Sequence, residues 1–241
     1  MNSVEEIFKI KINDNSLFVK ALTHPSYTQE KEMSYCDCYE RLEFLGDAVL
    51  KLSISDVLYK MFPDYAEGKM SQIRSIIVSD HTLSNISREI GLSKLIIAGT
   101  HEVKNGIKNL ESVTACAFEA VLGAYYLDGK FDELLKFIEE TFIPYINDVN
   151  NNLEKYNAKA LLQEYTQSLT KETPVYTLVS ESGPDHKKMF HTKMKSLRAA
   201  KEKLKKMQSK KPLMKLVKYW ELSNVKNNYL SVHSIGGLCK S

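Results

Sequence analysis

The chain has few cysteines and no long apolar run, and each shortage closes off a class of protein. Its four cysteines, Cys36, Cys38, Cys116 and Cys239, form no disulfide framework, which argues against a small secreted scaffold. The Cys36-x-Cys38 spacing is tighter than a usual zinc pair and has no matching second pair. Free thiols in a reducing cytosol are the expectation. No apolar run reaches the ~18 residues that a membrane span needs. The N-terminus lacks the basic-then-apolar order of a secretory signal. A cytoplasmic protein with no membrane partner is expected.

Net charge is also scarce, at +3 over 241 residues, but it is unevenly spread. Residues 1–150 carry more acids than bases, whereas the stretch from Lys187 to Lys218 is strongly basic. A basic tail on an acidic body suggests a polyanionic partner, although a solvated tail would look the same. The 43% apolar content suffices for a buried core in one or two domains.

The first 145 residues read as mostly helical. Val4–Lys9 is a short helix, and Asn15-Ser16 can cap the next, which must end near His24-Pro25. Cys38–Met61 is a long helix stopped by Phe62-Pro63. Lys69–Ser79 and Leu83–Ile90 are amphipathic, and Gly91 ends the latter. Thr100–Leu110 is polar and reads as a loop. Ser112–Asp128 is a second long apolar helix, and Phe131–Tyr145 closes the domain. Asn147–Asn157 is Asn-rich and reads as a linker. Beyond it Ala158–Leu169 reads as a helix. Pro174–Glu181 and Lys188–Lys193 read as two strands joined by a Gly183-Pro184 turn.

The densest chemistry lies in Glu40-Arg41-Leu42-Glu43-Phe44-Leu45-Gly46-Asp47-Ala48-Val49-Leu50. Glu40, Glu43 and Asp47 stand at i, i+3 and i+7, on one face of a helix with about 3.6 residues per turn. Leu42, Leu45, Val49 and Leu50 fall mostly on the other side and face a core. Three stacked acids repel one another. A divalent cation with oxygen ligands is the natural relief.

This stretch closely resembles the signature helix of the ribonuclease III family. Leu22-Thr23-His24-Pro25-Ser26-Tyr27 resembles that family's early motif, and Glu67-Gly68-Lys69-Met70-Ser71 through Arg74 its middle segment. Ala117-Phe118-Glu119-Ala120-Val121-Leu122-Gly123-Ala124-Tyr125-Tyr126-Leu127-Asp128 is similar to its second acidic helix. Leu161-Leu162-Gln163-Glu164-Tyr165 and Gly183-Pro184-Asp185-His186 resemble the start of a double-stranded-RNA-binding domain. The matching segments run from about residue 5 to 193, in order.

The resemblance implies a mainly α fold. An all-helical endonuclease domain would occupy 1–146, a linker 147–157 and an incomplete α+β double-stranded-RNA-binding domain 158–193. An aberrant basic tail would fill 194–241. It also implies metal-dependent hydrolysis of both strands of duplex RNA to 5′-phosphate and 3′-hydroxyl ends, in ribosomal RNA and mRNA processing, by a cytoplasmic homodimer. By resemblance Glu43 and Glu119 are metal ligands, Asp47 is the indispensable catalytic carboxylate and Glu40 supports them. The cofactor would be Mg²⁺, with Mn²⁺ as a substitute. Phe44 and Leu45 are candidates for dimer packing or for an ordinary core. In the second domain Gln163 and Glu164 would meet ribose hydroxyls, and Pro184 and His186 would enter the next minor groove.

One departure falls in the site. Cys116 occupies the position where the family usually carries a metal-binding Asp. A thiol is a poor ligand for magnesium. Cys116 is then either a bystander, with water filling the gap, or a lesion that slows cleavage. The alternative function is a catalytically impaired homologue that binds duplex RNA.

A second departure starts near Lys193, where a third strand and a Lys-Lys helix should follow. A one-base frameshift accounts for it. Starting from each third base, Met207-Gln208 must encode Ala and Met214-Lys215 Glu. Tyr219-Trp220 must likewise encode Leu, and Trp220-Glu221 Gly. Each falls where the family pattern wants it. No fold is expected of 194–241, although the basic stretch can still attract RNA without specificity.

Overall fold

The computed structural model describes residues 3–156, 176–182, 189–194 and 230–233. The chain divides into two compact units, Met1–Asn150 and Asn151–Ser241.

The first unit is helical throughout. Helices α1 (Val4–Phe8), α2 (Asn15–Leu22) and α3 (Pro25–Glu30) lead in. Ser3 and Glu6 close a capping box on α1, satisfying two otherwise orphan amides. The cap of α2 is Asp14, one residue before the expected Asn15-Ser16 pair. His24 caps α3, with Pro25 in the first turn, where a missing N–H costs nothing. Helix α4 (Glu40–Met61) begins two residues later than expected. Cys38 instead ends a 3₁₀ turn over Tyr35–Asp37, and its thiol donates to the Tyr35 carbonyl at 3.2 Å.

Helices α5 (Glu67–Ile77) and α6 (Asp80–Glu89) follow. Gly91, at φ 84°, stops α6. The polar stretch expected to be a loop holds the short helix α7 (Thr100–Lys104) and a 3₁₀ turn over Ile107–Asn109. Tertiary bonds hold both. Glu30 accepts from the Thr100 amide, and Arg88 donates to the Asn109 carbonyl at 2.8 Å. Helix α8 (Glu111–Leu127) is buried on nearly all sides, as an apolar helix at the centre of a bundle must be. It packs against α2, α4 and α6. Helix α9 (Phe131–Asn151) runs six residues past its expected end, through Pro144. Ile146 and Val149 continue the buried stripe of Leu134, Ile138 and Phe142. Their burial outweighs one missing backbone hydrogen bond. The expected linker is therefore partly helical, and α10 (Leu153–Tyr156) follows.

In the second unit β1 (Tyr176–Ser182) pairs antiparallel with β2 (Met189–Met194), close to the two expected strands. The far edge of β2 takes β3 (Leu230–His233), with Met189 opposite His233 and Thr192 opposite Leu230. This third strand lies in the tail where no element was expected. The expected helix Ala158–Leu169 lies outside the described residues.

Candidate active site

Helices α4 and α8 cross at two glycines. A Cβ on Gly46 would overlap the Glu119 carbonyl, and one on Gly123 would overlap the Leu42 carbonyl. Backbone therefore meets backbone, a close approach that only glycine permits. The crossing sets the turn of α4 carrying Glu43 and Asp47 against the turn of α8 carrying Cys116 and Glu119.

The result is a cluster of mutually repelling acids. Burial pushes the Glu119 carboxyl up to about 8, and the charges of Asp47, Glu43 and Asp80 push the same way. Glu43 is raised by burial as well, with Glu40, Asp80 and Asp47 adding to it. Lys51 offers partial relief: its Nζ lies 2.7 Å from Asp47 Oδ2, and it draws the Glu119 carboxyl down. The Cys116 thiol hydrogen-bonds Glu43. Burial first, then Glu43, raises that thiol. Glu40 turns partly to the preceding loop. It accepts from Cys38 Sγ at 3.7 Å, and its bond to Tyr35 holds that phenol up at about 12.

Of the expected residues, Glu43, Asp47, Cys116 and Glu119 come together, and Glu40 borders them. Among the described residues no three acid, histidine or cysteine side chains converge at ligand distance on one point. Lys51 engages Asp47. The donor types are still those of a hard divalent cation: among the described residues the carboxylates outnumber the one ammonium, Lys51. Gln163, Glu164, Pro184 and His186 lie outside the described residues.

Two contributors stand outside the expected residues. Lys51 is i+4 from Asp47, so its pairing was legible in the spacing. Asp80 comes from α6, and no spacing within one helix could reveal it.

An all-helical domain that crosses two helices at glycines gathers carboxylates of the type a hard divalent cation takes. Comparisons narrow the class. Residues 14–146 match the Ribonuclease-III-like family, and 158–211 match the Double-stranded RNA binding motif, which extends past Lys193. Ribonuclease 3 of Fusobacterium nucleatum is 39% identical over 217 residues, 87% of this chain and 93% of that one. Ribonuclease 3 of Borreliella burgdorferi is 43% identical over 185 residues, 77% of this chain and 75% of that one. The nuclease domain of ribonuclease III from Campylobacter jejuni superposes with a TM-score of 0.52 at 33% identity, covering 57% of this chain and 95% of that one. The chain belongs to the ribonuclease III family and is a double-stranded-RNA endoribonuclease.

Proposed function

We propose that this enzyme cuts duplex RNA at the α4–α8 carboxylate cluster, with Mg²⁺ as the natural cation and Mn²⁺ as a substitute. The observation that carries the reading is the crossing itself, where two glycines force Glu43 and Asp47 against Glu119 and leave one lysine to answer them. Glu43 and Glu119 would hold the cation. A bound divalent ion supplies polarisation of the phosphate and a more acidic water. Asp47, at the solvent side, orients the attacking water through its carboxylate oxygens. Glu40 steadies the start of α4 through Tyr35 and Cys38. The products are 5′-phosphate and 3′-hydroxyl ends, and the natural substrates are structured precursors of ribosomal RNA and mRNA.

The working form is a homodimer with one site per strand. Phe44, Leu52 and Tyr59 support this, lying on one side of α4 and 83%, 60% and 74% exposed. An apolar stripe this open is an interface in waiting. Leu45 is half-buried and belongs more to the core than to that stripe. Gln163, Glu164, Pro184 and His186 are assigned to duplex binding because the RNA-binding motif match spans them. A binding-only homologue is not favoured, because Glu43, Asp47 and Glu119 are all in place. No described helix is long and apolar enough to cross a membrane.

Asp47→Asn tests the reading. Cleavage of a long RNA duplex in Mg²⁺ should fall by about 10²–10⁴-fold, while binding of that duplex in a gel-shift assay is unchanged. Undiminished cleavage would overturn the assignment of the site.

A further inference from the structure

We infer that Arg74 is a substrate-binding residue whose guanidinium holds a backbone phosphate of the RNA duplex beside the cleaved bond. The inference deepens the reading of the cleavage site above and rests on it.

Arg74 closes the segment that starts at Glu67, which the reaction above leaves without a role. It lies in the last turn of α5 and is half-buried. Its Nη1 donates to Ser55 Oγ at 2.7 Å, and its Nη2 to Ser71 Oγ at a longer 3.5 Å. Both hydroxyls give their own protons elsewhere. Ser55 donates to the Lys51 carbonyl, and Ser71 to Glu67 Oε1 at 2.6 Å. Their lone pairs are left for the guanidinium, which is thereby fixed by two helices.

That frame fixes the charge without neutralising it. Lys20, Lys31, Lys51, Lys60 and Lys130 each pair with a carboxylate, but Arg74 joins no ion pair among the described residues. A half-buried guanidinium held by neutral hydroxyls alone calls for an anion. Ser55 stands four residues beyond Lys51 and eight beyond Asp47, on one stripe of α4. Eight residues rise about 12 Å, which is a few nucleotides of a duplex strand at about 3.4 Å each. A strand cut at Asp47 therefore brings a phosphate within reach of Arg74. The planar fork of an arginine matches two phosphate oxygens.

The test is binding of an RNA duplex with one mapped cut to the full chain in EDTA, over a range of salt. Arg74→Gln keeps a donor for the serines and loses the charge. It should weaken binding about tenfold and lessen the slope of log affinity against log salt by about one. Arg74→Lys should stay close to wild type. Duplexes carrying a single neutral methylphosphonate then locate the contact. At one position, a few nucleotides from the cut, the wild type should lose affinity and Arg74→Gln should lose nothing more. Wild-type affinity and slope in Arg74→Gln would overturn the inference. So would a deficit in Arg74→Gln of the same size on every substituted duplex, because the arginine would then only hold α5 to α4. Asp47→Asn separates this inference from the reading of the site. If its cleavage is lost while Arg74→Gln binds like wild type, only the role of Arg74 falls. If Asp47→Asn cuts undiminished, the site assignment falls and this inference with it.

Discussion

Near its C-terminal end α8 carries Tyr125, whose ring meets Phe18 at 4.6 Å and Phe8 at 5.2 Å between centroids. Its hydroxyl donates to the Ile10 carbonyl at 3.3 Å. Two turns earlier the same helix carries Cys116 and Glu119, pressed against Glu43 and Asp47. Both ends are packed, but only one is satisfied. At the Tyr125 end the buried ring packs against two others and its hydroxyl has an acceptor. At the Glu119 end burial raises the carboxyl, and neighbouring charges raise it further. Stability therefore comes from the aromatic end, and the acidic end holds repulsion that a cation can relieve.

The strongest way to break the comparison is at the aromatic end. Tyr125→Ala should cost about 3–5 kcal/mol of unfolding free energy, read by urea denaturation. The cleavage rate per folded molecule should stay near wild type. Gly46→Ala comes next and strikes the joint between the two ends. The added Cβ meets the Glu119 carbonyl, which is backbone and cannot swing aside, so the loss should be about 2–3 kcal/mol. Here cleavage should fall beyond the loss of folded protein, because Glu119 moves with its carbonyl.

At the acidic end the sign reverses. Glu119→Gln should stabilise the protein in EDTA by about 1–3 kcal/mol at pH 9 while abolishing cleavage. The folded carboxyl sits at about 8, above its unfolded value near 4.5. Between those values the folded chain holds a proton that the unfolded chain has released, so wild-type stability falls as pH rises through this window. The gap between variant and wild type should be absent at pH 4, open from about pH 5 and reach its full size above pH 8. Saturating Mg²⁺ should narrow it. A constant gap at all pH values would mean that Glu119 carries no stored repulsion.

How much of this was legible in the sequence differs by level. The face shared by Glu43 and Asp47 follows from helical periodicity, and the place of Glu119 from the second acidic segment. The glycine crossing was not legible, because a glycine in a helical pattern does not say which backbone will approach it. Asp80 was hidden for the same reason: its neighbours lie on other helices. Helix α9 outran its expected end because Pro144 is a local signal, whereas the burial of Ile146 and Val149 is decided by the rest of the bundle. The α7 stretch is polar and helical only because Glu30 and Arg88 reach it from elsewhere. Strand β3 is four alternating residues far down a tail of little periodicity, too short to read without its partner β2.

The smallest expected effect sharpens the comparison most, because it sits where the two kinds of energetics meet. Lys51 and Asp47 form an exposed i,i+4 pair, worth about 0.3–0.5 kcal/mol as a plain surface ion pair. Lys51 also eases Glu119, so its removal leaves the acidic end with no cation of its own among the described residues. In EDTA, Lys51→Met should lower the melting temperature by about 1–2 °C. The loss should be larger at pH 9 than at pH 6, because Glu119 ionises between them. In saturating Mg²⁺ the loss should vanish or reverse: the ammonium no longer competes for Asp47, and the divalent ion replaces it at higher charge. An equal loss with and without Mg²⁺, at both pH values, would make Lys51 an ordinary surface lysine. The strain at this end of α8 would then be a matter of burial alone.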